Sequence, residues 1–126
     1  FTCRPSVKQG WGCVSNPGKN LLVGCLWETE QYPWTCIWRE AKENNPAALG
    51  IEFGTSPFGG PLEQIRARGK VLNRPVIEVL QADETVEKTF YLFLQKIPTN
   101  YAGVQHVEFR QGQLTITERK HSGSAE

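Results

Sequence analysis

The tightest constraint on how this chain can fold lies near its end. Val104 to Arg110 and Gln113 to Arg119 are runs of alternating character separated only by Gln111-Gly112. A two-residue connection turns a strand straight back on itself and leaves no room for another motif. That register sets Phe109 opposite Leu114 and Val107 opposite Ile116 on one face. An antiparallel hairpin with one apolar face is therefore expected.

The rest of the chain is punctuated in the same way. Trp11 to Ser15 reads as a short strand, Asn16-Pro17-Gly18-Lys19 as a turn, and Leu21 to Glu28 as the next strand. Thr29 to Pro33 is a loop, and Trp34 to Glu40 is the antiparallel partner that follows it. Trp34, Cys36 and Trp38 share one face of that strand, with Thr35, Ile37 and Arg39 on the other. Ala41 to Pro46 is polar and loop-like, and Ala48 to Thr55 is a strand carrying Glu52. One helix is expected, Pro61 to Arg68, with proline in its first turn, Gly69 as its C-cap and basic residues at its carbonyl end. Val76 to Leu80 reads as a strand, Gln81 to Glu84 as a turn, and Val86 to Ile97 as the longest strand. The centre of that last strand, Phe90 to Leu94, is apolar on both faces, as expected of a strand buried between layers. The fold class is all-β, an antiparallel β-sandwich with one short helix, over Phe1 to Arg119. Lys120 to Glu126 is a polar tail.

Composition narrows the functions. With 14 basic and 13 acidic residues, the chain has no charge excess that would draw nucleic acid or an anionic membrane. Its apolar runs are too short to span a bilayer as a helix, and no signal peptide is visible. The 126 residues include no methionine, so a processed or excerpted chain is expected, with partners upstream. Cys3, Cys13, Cys25 and Cys36 all fall early and form no Cys-x-x-Cys pair, which gives no zinc pattern. Two disulfides are compatible with the count, Cys25 facing Cys36 across a hairpin. So are free thiols packed as small apolar groups. The compartment stays open.

Glu52 is the sharpest chemical candidate. It sits between Ile51 and Phe53, and its side chain shares a face with Gly50 and Gly54. Glycines beside a strand carboxylate leave space for a ligand, and in a dry cleft such a carboxyl rises toward the range useful for proton transfer. A solvated glutamate, or one paired with Arg39 or Arg66, has the same pattern. Trp27, Trp34 and Trp38 offer flat faces on which sugar rings stack, and large amphipathic residues of this kind equally fill cores. No second acid stands at a fixed distance for glycoside hydrolysis. His106 and His121 have no partners at metal-ligand or triad spacing, and no cofactor motif is present.

Three blocks in order resemble the C-terminal half of galactose-mutarotase-like (aldose 1-epimerase-like) proteins, particularly their uncharacterised bacterial branch. They are Glu28 to Trp38 with its Tyr-Pro-Trp core, Gly50-Ile51-Glu52-Phe53-Gly54-Thr55-Ser56-Pro57-Phe58, and Arg68-Gly69-Lys70 leading into Val86 to Leu94. The resemblance implies part of a large antiparallel β-supersandwich. It also implies a glutamate at the position of Glu52 that takes the anomeric hydroxyl proton while a histidine donates to the ring oxygen. Active epimerases read Leu-Glu-x-Gln where this chain has Ile51-Glu52-Phe53-Gly54. Their acid histidines come from the N-terminal half, and His106 and His121 fit neither motif. The expected function is that of a carbohydrate-binding protein, with sugar mutarotation through Glu52 as general base, Trp34 and Trp38 as stacking platforms, and Arg39 as a hydroxyl or carboxylate contact. Two other readings stand beside it. One is a non-catalytic carbohydrate-binding module; the other is a structural or interaction domain completed by a partner chain or a homodimer.

Overall fold

The computed structural model describes residues 1–4, 6–42, 45–57 and 59–120, with the side chains of 41, 42 and 45–47 excepted. The chain is all-β with one short helix. Its strands are β1 (Gln9–Asn16), β2 (Leu21–Glu28), β3 (Trp34–Lys42), β4 (Asn45–Gly54), β5 (Lys70–Val71), β6 (Arg74–Pro75), β7 (Phe90–Lys96), β8 (Val104–Arg110) and β9 (Gln113–Glu118), with helix α1 (Leu62–Arg68) between β4 and β5. Two compact units result. The first comprises Phe1–Gly10 and Trp27–Thr89, the second Trp11–Leu26 and Phe90–Glu126. The described part of the second unit ends at Lys120, so residues 121–126 of the expected tail, His121 among them, lie outside the described residues.

In the second unit, β1, β2 and β7 form a sheet in that order, and β8 pairs with β9. The hairpin has the register its sequence requires, Phe109 opposite Leu114 and Val107 opposite Ile116. Gln111 (φ 50°) and Gly112 (φ 79°) both take positive φ, the conformation whose twist suits a two-residue hairpin. A register shift between Val104 and His106 turns both Val104 and Val107 into the core. Leu22, Leu26, Ile97, Val104 and Val107 are buried together, with Trp11, Cys13, Phe93, Tyr101, Phe109, Leu114 and Ile116 packed against them. Residues of β2, of β8 and just after β7 thus share one apolar cluster. The turn entering β2 is a short 3₁₀ helix, in which the Asn16 carboxamide oxygen accepts the Lys19 N–H at 3.1 Å. Asn20 then ties this turn to the far end of β7. Its carbonyl accepts the Ile97 N–H at 3.1 Å, and its side-chain amide donates to the Ile97 carbonyl at 3.1 Å.

In the first unit, β3 and β4 make a long antiparallel ribbon. The expected polar loop over 41–46 is not a loop throughout. β3 runs on to Lys42 and β4 starts at Asn45, with those two residues paired. A two-stranded ribbon satisfies its backbone hydrogen bonds internally, so polar side chains do not end it. Helix α1 matches its expectation, with Gly69 donating its N–H to the Arg66 carbonyl at 3.1 Å. Thr29 is buried, its hydroxyl donating to the Val7 carbonyl at 2.6 Å.

Two strand expectations are corrected. Val76 to Leu80 is not a strand. Val76 is fully buried and its N–H donates to the Gly69 carbonyl at 3.2 Å, but residues 77–80 join no strand pairing among the described residues and Val79 and Leu80 are exposed. Alternation without a partner strand leaves the backbone extended and unladdered. The longest strand is β4, at ten residues, whereas β7 covers only seven. Nor is β7 buried on both faces: Leu92 is 72% and Leu94 68% exposed. It is the edge of its sheet, so apolar composition overstated its burial.

All four cysteines are free thiols, so neither disulfide compatible with their count is formed. Burial pushes the Cys13 thiol up to about 11, with the nearby Cys25 adding to the shift. Burial also raises Cys25, partly offset by its contact with the Gly12 carbonyl. Cys36 is exposed. Alkylation by iodoacetamide at pH 8 is therefore expected at the exposed Cys36 first, with Cys13 slower because it is half-buried and so little thiolate forms there. Peptide mapping at timed intervals measures this order, and equal labelling of Cys13 and Cys36 contradicts it.

Candidate functional site

The β3–β4 ribbon sets the geometry of the candidate site. Its register pairs Trp34 with Gly54, Cys36 with Glu52 and Trp38 with Gly50. Directly opposed residues point to the same face, so one face carries Trp34, Cys36, Trp38 and Glu52 with two glycines between them. Thr35, Ile37, Arg39, Leu49, Ile51 and Phe53 take the other face. There Phe53 stacks parallel to Trp27 with ring centroids 4.7 Å apart and meets the Tyr32 edge at 5.2 Å. This packing anchors the base of the ribbon, while Ile37 and Leu49 further along remain about half exposed.

Glycine at position 50 is required by its neighbour. A Cβ there would fall 2.1 Å from the Trp38 indole nitrogen, so the Trp38 ring lies directly over the Gly50 backbone. One side of the indole covers the strand and 43% of the residue stays exposed. Trp34 differs. It is 4% exposed and its indole N–H donates to the Pro75 carbonyl at 2.7 Å. That is the core role which the sequence equally allowed, and it leaves Trp34 as a wall of the site, not an open platform.

An open cleft of about 350 Å³ lies at the base of this face, lined by Trp34, Thr35, Cys36, Glu52, Phe53, Gly54, Ser56 and Pro57. Glu52 is exposed and makes no ion pair among the described residues. Among the described residues the face around Glu52 is open to solvent, not a dry cleft. Arg39 sits on the opposite face, across from Leu49, so the expected cluster of Glu52, Trp34, Trp38 and Arg39 assembles without its arginine. Arg66 contacts Glu63 on its own helix at 3.7 Å and does not pair with Glu52. Cys36, directly across from Glu52, and Ser56 in the following turn were not singled out from sequence. Counting back from the Lys42–Asn45 pair would have set Cys36 opposite Ile51, because the register shifts by one between Glu40 and Lys42.

His106 is exposed on β8 opposite Thr117 and belongs to the other unit. Among the described residues, no three His, Cys, Asp or Glu side chains converge as a metal site. No helix is long and apolar enough to cross a membrane among the described residues. Comparison of the chain with protein-family models, with curated proteins and with solved structures gives no match.

Proposed function

We propose that the chain binds a carbohydrate on the Trp38–Glu52 face of the β3–β4 ribbon. The observation that carries this reading is the shared face itself: a half-exposed indole laid over Gly50, one register step from a solvated carboxylate across from Cys36. The apolar side of a pyranose stacks on such an indole, and its hydroxyls donate to the carboxylate oxygens. The resemblance to galactose-mutarotase-like proteins supports the choice of ligand class.

Glu52 is also the group we assign to take an anomeric proton in this reading. Ring opening needs a donor to the ring oxygen as well, and the residues lining the cleft offer only the hydroxyls of Thr35 and Ser56 and the thiol of Cys36. Binding is therefore the better-supported activity, and mutarotation is the second arm of the same experiment. Titration of a panel of mono- and oligosaccharides, followed by the Trp38 indole N–H resonance, is expected to saturate. Trp38→Ala is expected to weaken binding at least about tenfold, equivalent to about 1.4 kcal/mol. Glu52→Gln removes a charged acceptor worth about 1.5–3 kcal/mol while preserving shape. Polarimetry on the same samples reads mutarotation: acceleration that Glu52→Gln abolishes assigns the base, and binding without acceleration assigns a binding module. No saturable response to any sugar would overturn the proposal.

A further inference from the structure

We propose that the β5–β6 hairpin of one copy of this chain seats its Leu72 tip on the acidic loop 79–87 of a second copy, the exchange being repeated about a two-fold axis. Both elements belong to the first unit, and the inference does not rest on the carbohydrate reading.

Leu72 is out of place for folding. β5 and β6 pair Val71 with Arg74 and Lys70 with Pro75, so Leu72-Asn73 is the whole connection. Leu72 (φ 49°) and Asn73 (φ 59°) are both left-handed, as the tightest hairpin turn demands. Asparagine, aspartate or glycine suits the first of those positions, and leucine strains it. No packing among the described residues offsets the strain, because Leu72 is 75% exposed. A strained residue that also faces solvent has its use in a contact outside the chain.

Lys70 and Arg74 flank this tip. The register sets them on opposite faces of the ribbon. Neither makes an ion pair among the described residues, although the charge of Arg74 reaches Glu30. The tip is an apolar knob between two cations.

Its complement leaves the body beside it. The Val76 N–H on the Gly69 carbonyl, at 3.2 Å, closes the base of the hairpin. Lys88 and Glu78, 2.6 Å apart, close the neck of the loop, with only Ile77 between the two closures. Lys88 also donates to the Gln31 carbonyl and the Thr89 N–H to the Gln31 side-chain oxygen, both at 2.9 Å. Further out, the Gln81 N–H donates to the Glu84 carboxylate at 2.8 Å. A loop held at neck and turn loses little freedom on binding. Between those fixed points Val79, Leu80 and Val86 are exposed, and Asp83, Glu84 and Glu87 are the loop's only charged residues.

Knob and loop match in kind, apolar to apolar and cation to carboxylate. Among the described residues no ion pair joins them within one chain. Because they stand side by side, a two-fold axis sets each hairpin on the other copy's loop, which makes the pair one self-complementary patch. Exposed ion pairs add little affinity. Burial of Leu72 supplies most of it, and the charges select the partner.

Sedimentation equilibrium of the 126-residue chain is expected to show a dimer. Leu72→Asn is the sharper test, since fold and contact favour different residues there. In dilute solution, where the chain is monomeric, it is expected to raise the unfolding midpoint. At higher concentration it is expected to raise the dimer dissociation constant at least about tenfold. A charge exchange tests the pairing. Lys70→Glu with Arg74→Glu makes hairpin and loop both acidic, and Asp83→Lys with Glu87→Lys makes both basic. Each of these chains alone is expected to be monomeric, and an equimolar mixture is expected to dimerise. The Leu72→Asn result stands even where a charge-reversed chain does not fold. A monomer at all concentrations overturns the proposal, as does a Leu72→Asn chain that dimerises as tightly as its parent. Folded charge-reversed chains that dimerise alone, or stay apart when mixed, also overturn it.

Discussion

Trp27→Ala is expected to cost about 3–5 kcal/mol of folding stability, the range for emptying a large aromatic from a core. Trp27 is 2% exposed, its ring is parallel to Phe53 at 4.7 Å, and its other side lies on Gly10, where a Cβ would come within 2.5 Å. Backbone on one side and an aromatic on the other leave little freedom to collapse into the void. A loss of that size is a large share of the roughly 5–15 kcal/mol that stabilises a domain. Trp27→Phe separates two components of the effect. The Trp27 indole N–H is buried without a hydrogen-bond partner among the described residues, and an unmet buried donor costs about 1–3 kcal/mol. Phenylalanine removes that donor along with part of the ring. The measured loss for Trp27→Phe in chemical denaturation is therefore expected to be well under half that for Trp27→Ala. Equal losses would mean that the phenyl ring recovers none of the packing against Phe53 and Gly10.

Gly24→Ala is expected to destabilise by about 3 kcal/mol, at the upper end for overpacking a filled site. Gly24 is buried in the middle of β2, and the new methyl would fall 2.1 Å from the Phe93 ring. The ring cannot tilt away cheaply because it packs on the core formed by Leu22, Leu26 and Val107. A double-mutant cycle with Phe93→Ala tests this cause. With the ring gone, the alanine methyl has room, so the double variant is expected to be more stable than the sum of the single losses predicts, by about 1–3 kcal/mol. Additive losses would place the strain elsewhere.

These two contacts also show what could be read from the sequence and what could not. The β8–β9 hairpin was legible because a two-residue turn fixes register by itself, and helix α1 because proline and glycine bracket it. Counting in twos put Trp34, Cys36 and Trp38 on one face of their strand and Glu52 with Gly50 and Gly54 on one face of theirs, but that these faces coincide needed the β3–β4 register. The failures come from properties that depend on a partner. Residues 41–46 looked like a loop since their polarity does not reveal the strand beside them. Segment 76–80 had the alternation of a strand but nothing to pair with. Phe90 to Leu94 had the composition of a central strand and lies at an edge. Arg39 was named as a ligand contact beside Glu52, Trp34 and Trp38, although counting in twos already set it on the opposite face from positions 34, 36 and 38. Nothing local could signal that Gly10, Gly24 and Gly50 each lie beneath an aromatic ring, because those approaches are made across strands.

The placement of Trp38 over Gly50 has an optical consequence. Trp27 and Trp34 are shielded, at 2% and 4% exposure, and Trp11 is partly buried, while Trp38 is the most open at 43%. Indole emission shifts to the red in contact with water, and an aqueous quencher extinguishes exposed rings first. The long-wavelength edge of this chain's fluorescence therefore comes largely from the ribbon. Any molecule that settles on that face changes the colour of the protein's own light, and the ribbon needs no added dye to report its occupancy.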